Sequence, residues 1–215
     1  MVRNVLLIPG EEKSHGERYT SFARHYVQEI VDGRIVLLIA QNETYQREAE
    51  RFVERMSSDL RIADPEDTLL TAGVIFTVGD NPQTLLERIQ AIPGIRQSLA
   101  LGTAYIGVGA GATIAGIGEQ DYLGLLQAHL IRFPRIGRVV ALSRDSPVPE
   151  IDQAANTLAQ QSQYPVVAVQ DGAVLIHKKS LGFASGGVWV YRKGEKKQFP
   201  ESTGDHTLEK LLLRR

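Results

Sequence analysis

Apolar residues in the first half of the chain fall into short unbroken runs, separated by longer stretches in which they recur every three or four positions. Val5–Ile8, Ile35–Ile39 and Val74–Phe76 are runs without polar alternation, as expected of strands covered on both faces of a parallel sheet. Between them, Tyr19–Val31 sets Phe22, Tyr26, Val27 and Ile30 on one helical face, and Asp32-Gly33 ends it. Glu43–Met56 reads as a charged second helix and Leu60–Ile62 as a short apolar stretch. Helices over Pro82–Ile92 and Ile95–Leu101 follow, Pro82 suiting a first turn whose N–H has no helical partner. Ala104–Ile106 is a further strand that runs into a glycine-rich turn. Alternating strands and helices imply right-handed crossovers, and so an α/β fold with a mostly parallel central sheet and helices on both faces.

The last third changes character. Glu150–Gln161 has helical spacing, and Val166–Val169, Ala173–Ile176 and Val188–Tyr191 are short strands. Asp171-Gly172 and Ser185-Gly186-Gly187 stand between them, and such pairs between apolar runs are hairpin signals. An antiparallel C-terminal hairpin is therefore expected. With no repeat and no Pro-, Gly- or Ser-rich linker, residues 1–215 read as a single domain.

Composition narrows the functional classes. Hydrophobic residues at 43% and charged residues at 23% allow an ordinary core. Balanced charge, 24 Lys+Arg against 25 Asp+Glu, gives no field that favours nucleic acid or a membrane surface. The apolar run Val5–Pro9 is too short for a signal-peptide core, and no stretch approaches the roughly 20 residues of a membrane span, so a cytoplasmic protein is expected. The absence of cysteine removes disulfides, thiolate metal sites and a cysteine nucleophile. His15, His25, His177 and His206 lack ligand spacing, so neither a metal nor a cofactor is expected.

The segment richest in chemical meaning is Tyr105-Ile106-Gly107-Val108-Gly109-Ala110-Gly111-Ala112-Thr113, a strand entering Gly-x-Gly-x-Gly and a small-residue helix start. One use of such a turn is the nucleophile elbow, whose flanking glycines let strand and helix pack around a strained apex. Another is a dinucleotide-binding loop, which belongs to the first βα unit and wants an acid about 20 residues on. Here the turn is mid-chain and Gln127–Phe133 carries no acid.

The elbow reading is joined by a resemblance. In peptidase E the elbow reads tyrosine-isoleucine-glycine-tryptophan-serine-alanine-glycine-alanine, and Tyr105–Ala112 resembles it in all but two places. Ile75-Phe76-Thr77-Val78-Gly79-Asp80-Asn81-Pro82-Gln83-Thr84-Leu85-Leu86 is similar to the family's strand, triple glycine, asparagine and helix, with Val78 and Asp80 in place of two glycines. Leu123–Leu126 resembles the strand leading to the family's histidine. Val169–Gly172 and Val188–Gly194 resemble its acid-glycine turn and closing hairpin. Over roughly residues 3 to 196, the chain thus resembles the peptidase E and cyanophycinase family, serine peptidases on a class I glutamine amidotransferase-like, flavodoxin-like three-layer fold.

That resemblance implies a degenerate site. Gly109 stands at the serine position, Phe133 at or near the histidine position, and Asp171 alone keeps an acid. His129 replaces the histidine only if the register slips. Nucleophilic catalysis needs a nucleophile, a base and an orienting group. The expectation is a catalytically inactive peptidase E-like protein, with Gly79, Asp80, Asn81, Gly109, Ala110, His129, Phe133 and Asp171 around a cleft that binds a peptide or small acidic ligand. Oxyanion donors would come from Ala110 and from Gly79 or Asp80. Asp80 and Asn81 also fit a helix N-cap, and Asp171 a turn former. A homodimer is compatible with all this. The alternatives are an active hydrolase with a displaced nucleophile (Thr113, Ser143, Ser180 or Ser185), favoured by a hydroxyl within reach of His129 and Asp171, and nucleotide binding at the glycine turn.

Overall fold

The computed structural model describes residues 4–8, 26–54, 60–62, 72–118, 122–126, 128–132, 149–169, 174–178, 181–185 and 188–198. Five parallel strands form the heart of the first sheet: β1 (Asn4–Ile8), β2 (Val36–Ala40), β3 (Leu60–Ile62), β4 (Val74–Gly79) and β5 (Ala104–Gly109). Antiparallel β8 (Val174–Lys178) and β9 (Leu181–Ser185) extend it to the order β3-β2-β4-β5-β1-β8-β9. A second sheet, ordered β11-β10-β7-β6, contains β6 (His129–Arg132), β7 (Val166–Val169), β10 (Val188–Arg192) and β11 (Glu195–Gln198).

Both faces of the first sheet are covered, which is why β2, β4 and β5 are buried along their whole length. One face buries Leu6, Ile8, Leu38, Phe76 and Ile106 against a helix, α1, whose described part is 26–31, and against α2 (Glu43–Val53). The other buries Val5, Leu7, Ile39, Ile75 and Tyr105 against α3 (Pro82–Gln90), α4 (Ile95–Leu101) and α5 (Ala110–Ile114). Val167, Val169, Val188 and Val190 of the second sheet join that core. On the sheet's outer face Val166, Ala168, Trp189 and Tyr191 pack on Ala155 and Ala159 of α6 (Pro149–Gln161). Tyr191 donates a 2.5 Å hydrogen bond to Asp152 of α6, whose other oxygen takes Lys196 Nζ at 3.0 Å.

The mostly parallel sheet, the helices on both faces and the antiparallel C-terminal strands are present as the sequence suggests. The hairpins differ in place. Residues 170–173 and 186–187 join strands of different sheets, so Asp-Gly and Gly-Gly mark a change of sheet rather than a reversal within one. The reversals are β8–β9 and β10–β11. The latter turns through Lys193 (φ 37°) and Gly194 (φ 88°), both in the left-handed region that two-residue hairpin loops use. Leu123–Leu126 is not a strand either. Gly124 has φ 59°, and Leu123 and Leu125 donate to the carbonyls of Ile114 and Ala115, wrapping the end of α5.

Candidate functional site

The glycine turn forms a sharp strand-to-helix corner. Gly109 ends β5 with φ 60° and ψ −114°, and α5 starts at Ala110. A side chain rarely adopts that conformation without strain, and it is the geometry a nucleophile elbow demands. The flanking glycines answer a second requirement. A Cβ on Gly107 would press into the Gly111 carbonyl and the Ala112 nitrogen, and one on Gly111 into Thr77.

A buried relay fastens this corner from beneath. Thr77, the single buried polar residue among those described, donates from Oγ1 to the Tyr105 hydroxyl at 2.7 Å. Tyr105 in turn donates to the Gly111 carbonyl at 2.7 Å, bracing the first turn of α5. Burial pushes the Tyr105 phenol far above its ordinary value, outweighing the opposite pull of the Thr77 bond.

β4 lies directly beside β5, with Gly79 paired to Gly109, so the upstream loop and the elbow share one edge. Asn81 is the N-cap of α3, its Oδ1 accepting from Gln83 N at 3.0 Å and Thr84 N at 3.1 Å, with Pro82 in the first turn. Gln41 was not singled out by the sequence. Its Oε1 accepts from Asp80 N at 2.7 Å and Asn81 N at 2.8 Å. Of the two upstream donors expected, Gly79 or Asp80, the Asp80 N–H is thus already engaged by Gln41 within the loop after β4. A lone glutamine after an apolar run carries no sequence signal for such a contact.

The edge also sits at a reversal of chain direction. β5 leads into α5 on one face, whereas β1 leads towards α1 on the other, so the carboxyl ends of β5 and β1 flank a switch point of the sheet. Open α/β sheets bind their ligands in such crevices.

The structure thus brings Gly79, Asp80, Asn81, Gly109 and Ala110 together. It places His129 elsewhere, at the start of β6, next to Ala128, whose carbonyl accepts Ile117 N beyond the far end of α5. There His129 Nε2 lies 2.9 Å from Ser162 Oγ, which also accepts Tyr164 N at 3.0 Å. Phe133 and Asp171 lie outside the described residues, as do Ser143 and Ser180. Ser185 ends β9, and Thr113 Oγ1 turns back 3.5 Å to the Gly109 carbonyl. Among the described residues, no cluster of three or more His, Asp or Glu could hold a metal, and no helix is long and apolar enough to cross a membrane.

No protein-family model and no curated protein matches the sequence. The fold does have solved counterparts. One is the crystal structure of a candidate peptidase E protein from Listeria monocytogenes EGD-e, with a TM-score of 0.56 over 86% of this chain and 99% of that one, at 15% identity. The chain therefore has a peptidase E-like α/β fold.

Proposed function

We propose that this is a catalytically inactive peptidase E-like protein whose elbow cleft binds a peptide or small acidic ligand. The observation that carries the reading is Gly109. It holds the backbone geometry of a nucleophile elbow, φ 60° and ψ −114°, and has no side chain with which to attack. The reading rests further on the pairing of Gly79 with Gly109 and on the switch-point crevice beside β5.

Purified protein is expected to leave aspartyl dipeptides and cyanophycin-like polymers unhydrolysed above background, and a serine-directed fluorophosphonate to leave no adduct by mass spectrometry. Titration with an aspartyl dipeptide is expected to shift the backbone amide resonances of Gly79, Gly109 and Ala110. A stoichiometric adduct would overturn the inactive reading. Shifts confined to residues away from the elbow would overturn the ligand site.

A second reading, hydrolysis by a displaced nucleophile, has the 2.9 Å contact between Ser162 and His129 in its favour. Neither residue sits on the elbow, and Ser162 Oγ is also tied to the Tyr164 amide of its own turn. An adduct mapped to Ser162 would establish that reading in place of the first.

A further inference from the structure

Each sheet ends in two edge strands, and the four differ in how they meet another edge. β3 is only three residues long and has Arg61 at its centre. β11 is Glu-Lys-Lys-Gln, exposed throughout. β6 carries His129 and Arg132 at its two ends. Short length and charge are the ordinary means of keeping edges apart. β9 has neither. Its five residues, Leu-Gly-Phe-Ala-Ser, include no charge and no proline, and among the described residues no strand pairs with its outer side.

The register shows what that outer side offers. Two residues separate the paired Lys178 and Leu181, so this closing pair is of the hydrogen-bonded kind. Hydrogen-bonded and non-hydrogen-bonded pairs alternate along an antiparallel ladder. Leu181, Phe183 and Ser185 therefore direct their N–H and C=O groups to β8, and Gly182 and Ala184 direct theirs outward.

We infer that the outer edge of β9 pairs antiparallel with β9 of a second copy of this chain, about a two-fold axis at Phe183. In that register Gly182 faces Ala184 of the other copy, so both outward residues of each strand bond across the axis. Leu181 faces Ser185, and no charges are opposed. Charge matching favours this edge over β3 and β11. Facing residues in such a pair both point outward or both inward, so the same operation on β11 sets Lys196 or Lys197 against its own copy, and on β3 it sets Arg61 against Arg61. Like charges directly opposite destabilise a pair. An isologous contact of this kind closes on itself and stops at two copies.

The test is the solution mass of the full chain across a concentration series, with backbone amide exchange read in parallel. The expected result is a mass of two chains that falls to one on dilution, with protection of the Gly182 and Ala184 amides lost in step. Ala184→Pro removes one outward N–H, and no bond to β8, so it is expected to leave a monomer with its melting transition retained. Should that variant fail to fold, the concentration dependence of the two amides in the unaltered chain decides. A monomer at every concentration overturns the inference. So does protection of Gly182 and Ala184 that persists on dilution, because a segment of the same chain then covers the edge. A dimer whose Gly182 and Ala184 amides exchange freely pairs elsewhere and overturns it as well.

Discussion

Replacing Gly109 with alanine isolates the cost of a side chain at the elbow. At φ 60° and ψ −114° the residue lies outside the basins that L-residues favour, and holding a side chain there costs on the order of 1–3 kcal/mol. Alanine also narrows the unfolded ensemble, which returns about 0.4–1 kcal/mol. The net expectation for Gly109→Ala is a loss of about 1–2 kcal/mol. For a chain of this size, that lowers the melting temperature by roughly 2–8 °C. Differential scanning calorimetry of the purified variant measures it, and circular dichroism at low temperature checks that the fold is retained. Gly109→Ser is expected to fall in the same range and to gain no fluorophosphonate reactivity, since among the described residues no histidine is brought to the apex, His129 being held at β6 against Ser162. An unchanged or raised melting temperature for Gly109→Ala would refute the reasoning, because the corner would then not demand a glycine conformation.

Tyr105→Phe keeps the ring and removes the relay, leaving the buried Thr77 hydroxyl and Gly111 carbonyl short of a partner. A loss of about 1–3 kcal/mol is expected in chemical denaturation. Alkaline pH acts on the same group. The Tyr105 phenol titrates well above the ordinary 10.0 only while folded. Its contribution is therefore complete below pH 10.0 and is lost as pH rises beyond it, with a slope of about 1.4 kcal/mol per pH unit; the same measurement on Tyr105→Phe is expected to show a shallower decline. Gln41→Ala frees the Asp80 and Asn81 amides, which lie in an exposed loop. Faster hydrogen exchange at those two positions is expected, with a stability change of only about 0.5–1.5 kcal/mol.

The layered core was legible because its cause is local: unbroken apolar runs such as Val36–Ala40 follow from burial on two faces, and Asn81-Pro82 announces a helix start by cap chemistry. The elbow was legible for a similar reason, since few demands other than close packing put glycine at both Gly107 and Gly111. What escaped depends on contacts distant in sequence. Nothing in residues 41 or 162 predicts that Gln41 meets the loop after β4, or that Ser162 meets His129, because each contact is set by how strands are ordered in space. The hairpin signals misled for the same reason. Asp-Gly permits a reversal, but the destination of the next strand is settled by which sheet has an open edge.

The relay under the corner has a consequence for how such a chain tolerates change. The turn is braced by Tyr105, Thr77 and the close contact of Gly107 with Gly111, and none of these touches a side chain at position 109. Frame and apex thus answer to separate demands. Glycine at the apex leaves the frame's bonds in place and carries no strain, so the fold itself favours it there. A nucleophilic side chain at position 109 would have to be favoured by chemistry strongly enough to outweigh the strain it introduces.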